Sequence, residues 1–121
     1  MFMSRCGLCG YSIVAPNLEK LILHIIIHFT KSHYKTHKLF TVLTNNSILN
    51  DIEKIIDTLE LKGFLFRKLR SRKAPYITFI SKQYHKQNKH AIFYVTKIDP
   101  LDYLLFKQLN KKHKKHNLLI L

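Results

Sequence analysis

Two cysteines and two histidines near the start of the chain have a spacing that is compatible with metal binding. Cys6 and Cys9 are separated by two residues, and His24 and His28 stand one helical turn apart, which gives the pattern C-x2-C-x14-H-x3-H. Two thiolates with two imidazoles form a ligand set that Zn²⁺ accepts in tetrahedral sites.

Three features of the sequence argue against zinc at these residues. The interval between the two pairs is longer than in the usual zinc finger, and no strand hairpin is recognisable before the helix. His24 and His28 are also flanked by isoleucines, and partly buried histidines are common on such helix faces. We therefore favour ordinary thiols and helix-face histidines, keep zinc as the alternative, and predict no metal and no cofactor.

A second set of chemically relevant side chains is the group of cations in the later part of the chain. Residues 1–60 hold six Lys and Arg against five acids, whereas residues 61–121 hold fifteen against two. A segment with such an imbalance repels itself unless a polyanion neutralises it. Because these cations alternate with Phe, Tyr, Leu and Ile, they indicate a folded basic surface that binds nucleic-acid phosphates.

The predicted RNA contacts fall into four groups: a segment after the first helix, a hairpin turn, a polar connector and a run near the end. Arginine binds phosphates bidentately, and an exposed tyrosine can stack on an unpaired base. The alternative for each group is a solvated charged surface, and the final run also complements a helix dipole. The predicted residues are Lys31, Lys35, Lys38, Arg67, Lys68, Arg70, Arg72, Lys73, Lys82, Tyr84, Lys86, Lys89, Lys111, Lys112, Lys114 and Lys115.

The hydrophobic pattern predicts the elements that must position these side chains. Helical spacing of apolar residues begins at Asn17 and recurs over 48–60, after the capping candidates Asn45, Asn46 and Ser47 and before Gly63. Strands are predicted over 39–43, 64–69, 76–80 and 91–96, with a third helix from Asp99 and a strand-like end over 117–121.

These elements predict an α+β protein built in three parts. Residues 1–16 are expected to be irregular, and residues 17–82 to form an α-β-α-β-β lobe. Residues 83–121 are expected to form a connector and a small, truncated second α/β lobe.

Composition excludes several classes of function. The longest apolar run, 21–29, is far shorter than the about 20 residues that a bilayer requires, so no membrane is predicted as a partner. The chain has three glycines and no Gly-rich phosphate loop, nucleophile elbow or paired carboxylates outside helix surfaces, so it is not expected to be an enzyme. Two cysteines cannot staple a fold of this size, which favours a reducing compartment.

The order of elements resembles the N-terminal lobe of small-subunit ribosomal protein eight. In that family the second helix ends in L-x-x-x-G-[FY]-[IL], and this chain has Leu59-Glu-Leu-Lys-Gly63-Phe64-Leu65. The family's entry to that helix is similar to Asn46-Ser47-Ile48-Leu49. The strand and helix start that open the family's second lobe are similar to Ile92-Phe93-Tyr94-Val95 and Asp99-Pro100-Leu101.

The resemblance implies a structural constituent of the small ribosomal subunit, with its ribosomal RNA and neighbouring ribosomal proteins as partners. In that family a Ser-Thr-Ser-x-Gly loop contacts the small-subunit ribosomal RNA, and this loop would be expected just past Leu121. A separate polypeptide or an extension is therefore expected to supply that RNA contact. The chain is rich in Phe, Tyr, Ile, Asn and Lys and poor in Gly, Ala, Arg and Pro. Such a composition is typical of an AT-biased genome and favours a mitochondrial ribosome.

The alternative function is that of a winged-helix DNA-binding protein. In that interpretation the helix over 48–62 would enter the major groove, and the following hairpin would be the wing. That helix carries four acids against two lysines, so its solvent face would be repelled by DNA. We therefore favour RNA as the partner.

Overall fold

The computed structural model describes residues 1–33, 37, 39–58, 66–70, 76–81, 90–112 and 117–121, with the backbone alone for 57, 58, 66–70, 76–81 and 90. The described elements confirm the α+β class and the α-β-α-β-β order after residue 17. They are β1 (Phe2–Cys6), β2 (Ser12–Ala15), α1 (Leu18–Ser32), β3 (Leu39–Leu43), α2 (Asn46–Thr58), β4 (Phe66–Arg70), β5 (Tyr76–Ser81), β6 (His90–Lys97), α3 (Pro100–Lys112) and β7 (Leu118–Ile120).

The described strands form one mixed sheet in the order β4-β5-β3-β6-β1-β2-β7. β6 lies at its centre, where it pairs in parallel with β3 and antiparallel with β1. The region 83–121, expected to form a second lobe, thus contributes the central strand and, through β7, one edge. Strands from both expected lobes share a single sheet.

Residues 1–16 form a β-hairpin, so the expectation of an irregular segment is wrong. β1 and β2 pair antiparallel, with Phe2 opposite Ala15 and Arg5 opposite Ser12. The inward-facing position in the middle of β1 is Ser4, which is buried although it is polar. That serine interrupts the apolar alternation by which a strand is recognised in a sequence.

One core joins α1 and α2 to the sheet. Phe29 of α1 packs against Phe40 of β3 with ring centroids 4.8 Å apart, and Phe40 meets Phe93 of β6 edge to face at 5.5 Å. Asn45 accepts a hydrogen bond from the backbone N–H of Ile48 at 2.9 Å, which confirms it as the cap of α2. Six apolar residues of α1 are buried: Leu18, Leu21, Ile22, Ile25, Ile26 and Phe29.

The helix α3 is packed differently from α1. Its buried residue is Tyr103, whose hydroxyl donates a hydrogen bond to the carbonyl oxygen of Leu121. Its leucines lie at helical spacing but remain between 54% and 74% exposed; they are Leu101, Leu104, Leu105 and Leu109.

In the part of the chain that the structure describes, every helix is too short or too polar to cross a membrane.

Candidate metal centre and nucleic-acid surface

The turn between β1 and β2 places two thiols at one end of the hairpin. The N–H of Gly10 donates to the carbonyl oxygen of Cys6 at 2.9 Å, and the N–H of Gly7 donates to that of Ile92 at 2.7 Å. These bonds close the turn and attach it to β6. Cys6 is buried and Cys9 is exposed, and neither is in a disulfide in this structure.

The C-terminal end of α1 brings two imidazoles to the same place. His28 lies in the last part of the helix and His33 is its C-cap residue. Nε2 of His28 is 3.3 Å from Sγ of Cys9, and Nε2 of His33 is 3.4 Å from Sγ of Cys6. The four possible ligand atoms all lie within 4.8 Å of one another. The structure therefore assembles two thiols and two imidazoles into one cluster.

This cluster differs from the grouping considered from the sequence by one histidine. His24 lies outside it, because it precedes His28 by one helical turn and is about 6 Å further along the helix axis. His33 takes the fourth position. Its backbone has left the helix, with φ at −126°, so its spacing from His28 matches no regular helical face. The sequence pattern did not reveal the hairpin before α1, and without that hairpin His33 could not be recognised as a neighbour of the two cysteines.

Aromatic packing holds the two imidazole rings in place. Tyr11 stacks on His28 with centroids 4.4 Å apart and planes 7° from parallel. The edge-to-face neighbours of His28 are His33 at 5.0 Å and Phe93 at 6.0 Å, and His33 meets His37 at 5.8 Å. Rings held in this way lose little further rotational freedom when they bind a ligand.

The pKa values of the two imidazoles and of the Cys6 thiol shift in opposite directions. Burial lowers the pKa of His28 and the neighbouring His33 lowers it further, while burial and His37 lower the pKa of His33. Both imidazoles are therefore neutral at pH 7, which is the form that binds metals. Burial raises the pKa of the Cys6 thiol, and hydrogen bonds from the backbone N–H groups of Cys9 and Leu8 offset part of this rise.

The predicted RNA-binding residues are only partly described. Lys31, Lys111 and Lys112 are exposed, the first near the end of α1 and the others at the end of α3. Arg67, Lys68 and Arg70 lie in β4 at one edge of the sheet. The rest lie outside the described residues: Lys35, Lys38, Arg72, Lys73, Lys82, Tyr84, Lys86, Lys89, Lys114 and Lys115.

A further surface, missed in the sequence analysis, lies on the face of the sheet opposite α1. Arg5 of β1 and Tyr94 of β6 are directly opposite each other in the antiparallel pair. Both are exposed, Tyr94 at 48%. They line a shallow concavity of about 510 Å³ together with Met3, Cys6, Gly7, Gly10 and Thr96. We call this surface the Arg5–Tyr94 platform.

The alternation along β6 was the signal that could have identified this platform. Phe93 and Val95 are buried against the helices, whereas Tyr94 and Thr96 between and beyond them are exposed. Side chains of successive strand residues point to opposite faces, so Tyr94 had to lie on the other side from Phe93.

Comparison of the chain with models of protein families, with curated proteins and with solved structures yields no match.

Proposed function

We propose that the protein binds single-stranded RNA through the Arg5–Tyr94 platform. The observation that carries this proposal is the exposed pairing of Arg5 with Tyr94 on the face of the sheet opposite α1. Opposite residues in an antiparallel pair are neighbours, with Cβ atoms about 4.5–5.5 Å apart. An aromatic ring stacks on an unpaired base while an adjacent guanidinium binds its phosphate.

The charge of the whole chain supports a polyanionic partner. The net charge is +14, which attracts nucleic acid from a distance and makes binding depend steeply on salt. The exposed cations among the side chains described are Arg5, Lys20, Lys31, Lys54, Lys97, Lys107, Lys111 and Lys112.

Within this class we propose the small subunit of a mitochondrial ribosome as the narrower assignment, with its ribosomal RNA and neighbouring proteins as partners. The α-β-α-β-β order from α1 to β5 supports it, because that order underlies the resemblance to ribosomal protein eight. The central position of β6 departs from the two lobes that the resemblance implies. The ribosomal assignment therefore needs its own test, separate from that of RNA binding.

The winged-helix alternative has one observation in its favour, the antiparallel pairing of β4 with β5 after α2. The exposed side of α2 includes Asn50, Asp51 and Lys54, which together have no net positive charge. A helix that enters the major groove must approach two phosphate backbones, and this side gives it no electrostatic attraction. RNA binding at the sheet face is the better-supported function.

The platform is tested by fluorescence anisotropy with a labelled single-stranded RNA and the full chain. Loss of one base stack costs about 1–3 kcal/mol, so Tyr94→Ala should weaken binding roughly 5- to 150-fold. Tyr94→Phe keeps the ring and should bind nearly as well as the unaltered protein. Lys20→Ala removes a cation from α1 and should have a much smaller effect. Equal affinity of Tyr94→Ala and the unaltered chain would refute the platform.

The ribosomal assignment is tested by sedimentation of a native mitochondrial extract, with and without ribonuclease, followed by detection of this chain. Migration with the small subunit, lost after ribonuclease treatment, is the expected result. Migration as a small particle in both samples would reject the ribosomal assignment and leave RNA binding to be decided by the anisotropy measurement.

A further inference from the structure

We infer that Cys6, Cys9, His28 and His33 form a structural Zn²⁺ site that fastens the β1–β2 hairpin to the end of α1. The proposal rests on two sulfurs and two ring nitrogens and does not depend on the proposed RNA binding. The cluster joins residues that are up to 27 positions apart, as Cys6 and His33 are. A cation held there would tie two elements that the sheet alone does not connect.

The separations within the cluster fit a tetrahedral zinc ion. With Zn–S near 2.3 Å and Zn–N near 2.0–2.1 Å, neighbouring ligand atoms of a tetrahedron are about 3.3–3.8 Å apart. The two sulfur–nitrogen distances are 3.3 and 3.4 Å, which already match. The widest separation, 4.8 Å, exceeds a tetrahedral edge by roughly 1 Å, which small side-chain rotations can close.

The ligand set favours zinc and a structural role. Two thiolates and two imidazoles in tetrahedral geometry are typical of Zn²⁺, and four protein ligands leave no open position for a substrate. Two thiolates and one Zn²⁺ are together electrically neutral, so the half-buried site would hold no uncompensated charge.

The competing interpretation is a metal-free cluster. The sulfur–nitrogen contacts at 3.3 and 3.4 Å would then be S–H···N hydrogen bonds that hold the hairpin to the helix without a cation. A disulfide between Cys6 and Cys9 is a second metal-free state. These states predict no bound zinc and no rise in the melting midpoint when zinc is added, so a metal measurement separates them from the proposal.

The first test is metal content and spectroscopy of the full chain. Protein purified without chelator should carry one zinc per chain by elemental analysis. After the zinc is replaced by Co²⁺, the visible spectrum should show the intense bands of tetrahedral cobalt together with thiolate charge-transfer absorption. Protein without stoichiometric zinc, a cobalt spectrum without thiolate bands, or a Cys6–Cys9 disulfide in the native protein would overturn the site.

The second test uses Cys9→Ser, because Cys9 is exposed and its change leaves the core intact. Loss of an outer partner of a metal ligand costs 10–100-fold in affinity, so loss of a ligand itself should cost at least about 100-fold. In chelator the variant and the unaltered chain should melt at the same temperature. On addition of zinc only the unaltered chain should become more stable. Unchanged zinc affinity in Cys9→Ser would refute the proposal.

The identity of the fourth ligand has a matched pair of histidine variants. His33→Ala should behave like Cys9→Ser, since His33 belongs to the cluster. His24→Ala removes a histidine from the same helix one turn before His28 and should bind zinc as the unaltered chain does. The opposite result, with His24 required and His33 dispensable, would overturn this assignment of the site.

Discussion

The two faces of the central sheet make different uses of neighbouring residues. In β6, Phe93 is 1% exposed beneath the helices, while the next residue, Tyr94, is 48% exposed on the other side. In β1, Cys6 is buried and the preceding Arg5 is exposed. One face is closed by α1 and α2, and the other carries the Arg5–Tyr94 platform. Stability and binding should therefore be separable by substitutions one position apart.

The largest expected effect is that of Phe93→Ala on stability. Phe93 is fully buried and meets Phe40 and His28 edge to face. Truncation of a buried Phe leaves a cavity and usually costs about 3–5 kcal/mol of unfolding free energy. Urea denaturation measures this cost. Tyr94→Ala, the neighbouring change on the opposite face, should cost far less because Tyr94 is exposed, and similar losses for the two variants would contradict the division into two faces.

A substitution on the platform should show the opposite behaviour. If Arg5 contacts one phosphate, Arg5→Ala should reduce the slope of log affinity against log salt by about 0.7, the value per phosphate for single strands. Its urea midpoint should stay close to that of the unaltered chain, because Arg5 is exposed. RNA titrations at several salt concentrations give the slope. A variant with an unchanged slope and a lowered urea midpoint would assign Arg5 to the fold instead.

Gly10 lies between β1 and β2 and should affect both properties. Its φ of +76° lies in the left-handed region, and a Cβ there would meet no atom within 4 Å. Gly10→Ala therefore tests backbone strain without steric overlap, and the expected loss of stability is about 1–2 kcal/mol. Urea denaturation in chelator excludes a contribution of bound metal. Because Gly10 also lines the platform's concavity, the added methyl group should lower RNA affinity as well. Unchanged unfolding free energy and unchanged RNA affinity would contradict both roles of Gly10.

The sequence predicts the helices well, because their stabilising contacts repeat locally. The apolar residues of α1 recur at helical spacing, and the structure buries six of them. The leucines of α3, among them Leu101 and Leu105, have the same kind of spacing but are mostly exposed. Spacing reveals that a helix has an apolar face. Whether another element covers that face depends on tertiary packing, which a local pattern does not contain.

The sequence pattern did not predict the contacts between distant segments. β6 was predicted as a strand, but its pairing with both β3 and β1 depends on partners about 50 and 90 positions away in the chain. His33 joins the cysteine cluster only because the hairpin turn meets the end of α1. The isolated motif suggested His24 instead, since i, i+4 spacing is the regular signal of a helix face.

The smallest predicted effect concerns the start of α2, where the sequence offered three capping candidates. The side chain of Asn45 accepts the N–H of Ile48, so Asn45→Ala should cost about 1 kcal/mol of unfolding free energy. Asn46 is the first residue of the helix, so Asn46→Ala, measured by the same urea denaturation, serves as the matched control and should cost much less. Because α2 packs on the same side of the sheet as α1, opposite the platform, neither change should alter RNA affinity. A fall in affinity with Asn45→Ala would mean that α2 and the platform are coupled through the sheet, and that the two faces are less independent than their burial indicates.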